Sequence, residues 1–186
     1  LVEKFVTASK GIKVGNGLDE QTFMGPVISA AHKQRVLDYI EKGIQEGANL
    51  VLDGRNFQVE GYSNGFFVGP TIFDNVTPDM TIASQEIFGP VVSIVRAKNL
   101  DEVIELVNTR NYANASCIYT SSGATAREFK YRVKPSMVGI NICIAAPMSF
   151  FPFGGAGNSM FGDTKGHGQE IFNFFTDTKV VIERWF

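Results

Sequence analysis

Cysteine, histidine and tryptophan are all scarce in this sequence of 186 residues, which has two, two and one of them. Cys117 and Cys143 stand in no C-x-x-C spacing, which argues against a zinc site and against the disulfide framework of a small secreted domain. No metal site is expected, and a reducing compartment fits best. Long apolar runs are missing too: Gly, Pro or Ser interrupts each one far short of the ~18 residues a membrane-spanning helix needs. No basic, apolar, small-residue leader opens the chain. Nor is there an excess of one charge, since 17 basic residues face 19 acidic ones for a net charge of -2, with no block of like charges. Neither nucleic acid nor a membrane surface is an expected partner. The expected location is cytoplasmic, or the mitochondrial matrix in a eukaryote. There is no internal repeat and no low-complexity segment.

What is present is a chain 44% hydrophobic, enough for one ordinary core without disulfide or metal. It begins at Leu1 rather than Met, and "LVEKFVTASKGIKVG" reads as the last turns of a helix already under way, with Val2, Phe5 and Val6 at helical spacing and Gly11 as a stop. A piece of a longer protein is expected. After the turn-rich "NGLDEQTFMGPVIS", Ser29 is a plausible N-cap for a helix over 30–46, with Val36, Ile40 and Ile44 on one face and Gly47 as stop. "ANLVLDG" predicts a short strand, 55–65 a surface loop, and "FFVGPTIFDNV" a second extended segment.

The chain then alternates. A strand over 91–95 leads to a helix capped at Asn99, where Glu102 three residues on suggests a capping box. A strand over 116–120, a helix over about 124–133 and a strand over 137–142 follow. That rhythm, with apolar rather than alternating strands, indicates an α/β fold: a parallel doubly wound sheet with helices on both faces. Residues 145–168, rich in Gly, Pro and Phe, break the rhythm as a long irregular loop, a feature that is often functional. "TKVVIERWF" closes the chain with a strand signal.

Phosphate-binding loops are absent. Gly155 and Gly157 are followed by Met160 where a third glycine should stand, Gly166 and Gly168 by Ile171, and no Gly-Lys-Ser/Thr occurs. Cys143 at a strand end and His167 in the irregular loop could form a nucleophilic pair, although a quiet thiol and a loop histidine account for them more simply. Cys117, inside a predicted strand, reads as core. Glu86 and Phe88 in "SQEIFGPVVSIV" make a better case. A carboxylate at a strand mouth can accept hydrogen bonds from two neighbouring hydroxyls, as a ribose offers, while a phenyl face two residues on flanks a flat ring and Gly89 permits close backbone approach. A solvated Glu before a buried Phe accounts for the same letters, and the residues alone leave both readings open.

"QEIFGPV" is similar to a signature of the aldehyde dehydrogenase superfamily, and the rest of the chain follows that superfamily in order: "VGPTI", "GATARE", "VGIN" and "APMSFFPFGGAGNSMFGD". The last of these, with "GQEIFNFFTDTKVVIERW", most resembles the acylating methylmalonate-semialdehyde dehydrogenase branch. The resemblance implies that residues 1–176 are the C-terminal part of the catalytic domain and 177–186 a terminal oligomerisation strand, with the dinucleotide-binding domain absent from this chain. It implies that Glu86 holds the nicotinamide ribose of NAD and that Phe88 lies beside the nicotinamide ring. Asn141 would begin the substrate-entrance loop, and Phe153 would line the aldehyde pocket. The loop is one residue longer than the common pattern, and the residues after "FGG" depart from the usual Lys-x-Ser-Gly.

Neither cysteine matches the family's nucleophile, so no catalytic residue is expected in this chain and the chain alone should be inactive. The implied reaction is oxidation of malonate or methylmalonate semialdehyde through a cysteine thioester, with coenzyme A as acyl acceptor, in a homo-oligomer, dimer or tetramer. Hydrolytic release by water is the rival within the class. A noncatalytic assembly module working through its terminal edge strand is the rival outside it.

Overall fold

Val2, Phe5 and Val6 recur at helical spacing, and the first helix, α1 (Val2–Lys10), forms around them and stops at Gly11. The computed structural model describes residues 1–186 and places them in two units, Leu1–Arg96 and Ala97–Phe186. In the first unit, α2 (Ala30–Gln45) starts where Ser29 accepts a hydrogen bond from the backbone N–H of His32 at 3.1 Å, and Gly47 follows its end at φ 91°. Strands β1 (Asn49–Leu52), β2 (Thr71–Val76) and β3 (Val91–Val95) form a sheet in that order, with the single turn α3 (Thr81–Ser84) between β2 and β3.

β2 is the centre of this sheet. Successive residues Ile72 and Phe73 point to opposite faces and are only 1% and 0% exposed, so both faces of the strand are covered. Val36 and Ile40 of α2 pack with Val68, Phe73, Val76, Ile82 and Ile87 into one cluster. Burying aliphatic and aromatic side chains of this kind stabilises a fold by about 1.5–3 kcal/mol each.

In the second unit, α4 (Leu100–Asn108) is capped by Asn99, β4 (Ala115–Ile118) leads to α5 (Gly123–Arg132), capped by Ser122, and β5 (Met137–Ile140) returns parallel to β4. Ile104 and Phe129 are the buried anchors of the two helices. The Glu102 carboxylate accepts from the backbone N–H of Lys98, one residue before the cap, so the expected box closes one position early. Irregular residues follow β5, and α6 (Glu170–Phe175) ends the regular structure.

Three expectations change. The parallel sense holds for β2 with β3 and for β4 with β5, but β1 runs antiparallel to β2. Residues 53–70 contain no crossover helix, the usual device for returning a chain parallel. The helical turns α3 and α6 were not expected. Residues 177–186 form no strand and are exposed throughout, since a strand needs a partner's ladder and this segment pairs with none. No helix is long and apolar enough to cross a membrane.

Candidate functional site

Between α3 and β3 the chain makes a tight passage in which Ile87, not Phe88, fills the core. Ile87 is 8% exposed, while Phe88 is 76% exposed and sits at φ 60°. A left-handed backbone on a bulky residue costs roughly 1–2 kcal/mol and persists only where neighbours enforce it. Here the Phe88 carbonyl lies 2.7 Å from His32 Nε2, and the two rings meet edge to face at 6.2 Å. Gly89 must be glycine in this packing, since a Cβ there would stand 2.6 Å from Val36 Cγ2.

The Glu86 carbonyl accepts from Arg35 Nη2 at 3.1 Å, while its exposed carboxylate takes part in no ion pair and no side-chain hydrogen bond. Beside this turn, Pro26, Val27, Val68, Phe88 and Pro90 line a largely apolar cleft of about 420 Å³. An acceptor without a partner, a bared phenyl face and an apolar cleft suit a ligand that brings hydroxyls and a flat ring.

Asn141 and Phe153 belong to the second unit. Asn141, at φ 57°, follows β5 and spends its side chain on Thr120: Oδ1 accepts from the Thr120 N–H at 2.8 Å, and Nδ2 donates to the Thr120 carbonyl at 3.0 Å. With its own N–H bonded to the Ile118 carbonyl, the amide continues the β4–β5 ladder one step past the strand end. It orients the loop that starts there. Phe153 pairs with Gly166 through two backbone hydrogen bonds, and its ring packs on His167 at 5.4 Å. The loop is fastened to residues 111–113, where Asn158 N–H donates to the Asn111 carbonyl and Ala156 N–H to that of Ala113. Phe150 and Phe151, 63% and 54% exposed, pack on each other with ring centres 4.7 Å apart.

Cys143 and His167 are not brought together. The Cys117 thiol, half-buried rather than core, contacts the Cys143 carbonyl at 3.7 Å, and Cys143 is exposed. Tyr119 borders this pair, and partial desolvation of its hydroxyl, followed by the nearby thiols, pushes its phenol above the usual range, although the residue as a whole is exposed. His32, Arg35 and Tyr39 stand in no recognisable motif of the sequence. Their only signal there is a polar stripe at positions i, i+3 and i+7 of α2, beside the apolar residues Val36 and Ile40.

The profile of the "Aldehyde dehydrogenase family" matches residues 1–181. The chain belongs to the aldehyde dehydrogenase family. A malonate-semialdehyde dehydrogenase of Geobacillus kaustophilus is 51% identical over 185 residues, which is 100% of this chain and 38% of that protein. The solved methylmalonate-semialdehyde dehydrogenase of Oceanimonas doudoroffii superposes with a TM-score of 0.95 at 41% identity, over 100% of this chain and 38% of its own. A Mycobacterium tuberculosis aldehyde dehydrogenase solved with NAD+ matches 95% of this chain and 35% of its own, at 36% identity and a TM-score of 0.83. The chain thus spans 38% of the length of its semialdehyde dehydrogenase relatives.

Proposed function

We propose that this chain is the cofactor-orienting and pocket-lining part of an NAD-dependent dehydrogenase acting on malonate or methylmalonate semialdehyde. The observation that carries the reading is the Glu86–Phe88 turn, whose carboxylate is unpartnered, whose ring is bared, and whose backbone is held in a conformation it would not choose alone. Glu86 would accept hydrogen bonds from the ribose hydroxyls of NAD, and Phe88 would flank the nicotinamide. When bound, NAD accepts the hydride removed from the aldehyde carbon. These two residues fix where the acceptor ring stands and do not themselves make or break bonds.

Phe153 would line the aldehyde pocket, and Asn141 would set the path of the loop leading to it. The Cys117 thiol is engaged with a backbone carbonyl, and the nucleophilic cysteine is assigned to the part of the protein that the relatives possess beyond this chain. Coenzyme A is the proposed acyl acceptor, on the likeness to the acylating branch. The exposed apolar segment of Val180, Val181, Ile182 and Trp185 is the proposed contact between subunits of a homo-oligomer.

The test uses the full-length protein carrying Glu86→Gln. Hydrogen bonds to an ionised acceptor are roughly twice as strong as neutral ones. NAD binding should therefore weaken and single-turnover NADH formation slow, while acylation by an activated ester stays near the parent rate. Unchanged NADH formation would remove Glu86 from the cofactor site. Mass spectrometry of the product separates coenzyme A thioester from free acid.

A further inference from the structure

The passage from α3 to β3 lies along α2 in the opposite sense, and α2 holds it at nearly every step. At the far end, the Glu46 carboxylate takes the Thr81 N–H at 2.7 Å and the Thr81 hydroxyl at 2.6 Å, which caps α3 from outside its own sequence. One helical turn after another then follows: Tyr39 Oη donates to Gln85 Oε1 at 2.7 Å, Arg35 to the Glu86 carbonyl at 3.1 Å, and His32 meets the Phe88 carbonyl at 2.7 Å. Val36, fully buried, stands against Gly89. Arg35 is itself steadied, its guanidinium lying 5.3 Å from the centre of the Tyr39 ring.

Two of these contacts go to the backbone carbonyls of the two residues whose side chains are left free for a ligand. Because a carbonyl can only accept, His32 Nε2 carries the proton in this bond, as the neutral tautomer or as imidazolium.

We infer that the α2 stripe of His32, Arg35 and Tyr39 is a brace that sets the aim of Glu86 and Phe88, with His32 and Arg35 as positioning residues for the cofactor. The inference rests on the reading of Glu86 and Phe88 as cofactor contacts. Holding Phe88 at φ 60° points its ring outward while Ile87 stays in the core. Without the His32 contact the turn is free to relax to an ordinary backbone, and the ring loses its direction while the fold persists.

The experiment compares His32→Leu, His32→Gln, Arg35→Met and Glu86→Gln in the full-length protein. Three quantities are read: NAD affinity by titration calorimetry, the thermal midpoint, and hydrogen–deuterium exchange over residues 84–90. His32→Leu and Arg35→Met should each raise the NAD dissociation constant roughly five- to tenfold, the worth of about one hydrogen bond. Exchange in 84–90 should quicken with the thermal midpoint nearly unmoved. His32→Gln, which keeps a donor, should restore both affinity and protection. Ester acylation should be unchanged in the three α2 variants.

If Glu86→Gln weakens NAD while His32→Leu and Arg35→Met bind it normally, the brace is overturned and the cofactor reading stands. If Glu86→Gln leaves NAD binding intact, the cofactor reading falls and the brace with it. If Gln at 32 binds NAD as poorly as Leu, the hydrogen bond to the Phe88 carbonyl is not the agent, and the positioning role of His32 is withdrawn.

Discussion

Arg96, one residue past β3, grips Asp74 of neighbouring β2 through both carboxylate oxygens, at 2.9 Å and 2.5 Å. Asp74 is 7% exposed, so its charge is accommodated within the sheet by this fork and by the Asn75 N–H at 2.8 Å. The Arg96 guanidinium first, and the Asn75 amide second, hold the Asp74 carboxyl below the usual carboxylate range.

A pH dependence follows from that direction. A carboxyl lowered in the folded state binds fewer protons there than in the unfolded chain, so its stabilisation is present above the ordinary value near 4 and is lost as pH falls through the lowered one. Asp74→Asn should therefore flatten the acid limb of stability, measured as urea midpoints between about pH 2 and 7. Arg96 is 61% exposed, so the effect is modest and shrinks with salt. An acid limb identical to the parent's would mean the fork adds nothing to stability.

Phe73 is the pin of the first unit. Its side chain is fully buried in β2 and packs with the α2 residues Val36 and Ile40. Phe73→Ala should cost about 3–5 kcal/mol by chemical denaturation. A loss under 1 kcal/mol would show that the cluster collapses onto the cavity or that this unit does not carry the observed transition.

Removing the Ser29 hydroxyl tests the start of α2 separately. Ser29→Ala strips the acceptor from the His32 N–H and should destabilise by about 1 kcal/mol, with Ser29→Asp close to neutral. An Ala variant as stable as the parent would place the helix start elsewhere.

Asn141 allows a sharper comparison, because it supplies both a left-handed backbone and two hydrogen bonds to Thr120. Asn141→Ala loses both advantages and should cost about 1–2 kcal/mol; Asn141→Gly loses only the bonds and should cost less. If Gly proves the worse substitution, the backbone conformation is not what Asn141 contributes.

The elements legible in the sequence are those whose causes are local. Ser29 and Asn99 cap helices from the position just before them, and the apolar residues Val91, Val92, Ile94 and Val95 mark β3 with the bounds observed. What could not be read depends on distant residues. α3 has no cap of its own and is closed by Glu46, on another element. The antiparallel sense of β1 depends on the route of residues 53–70, which no strand composition reveals. The apolar letters of 177–186 read as a strand, but a strand exists only against a partner. Glu86 and Phe88 were visible through their motif, whereas His32 and Arg35 act on carbonyls some fifty positions away and carry no motif.

The central position of β2 also bears on how quickly the first unit can assemble. Its ladder bonds to β1 and β3 close only the loops of residues 53–70 and 77–90, and its helical cover begins at Ala30. Closing a loop costs conformational entropy that rises slowly with length, and chains whose contacts join near neighbours fold faster than those that must first bring remote segments together. Every partner β2 needs for its core therefore lies within residues 30–95. That stretch can search for its native arrangement without waiting on the Phe-rich loop or the terminal segment, and it should be the earliest part of the chain to acquire protected structure during refolding.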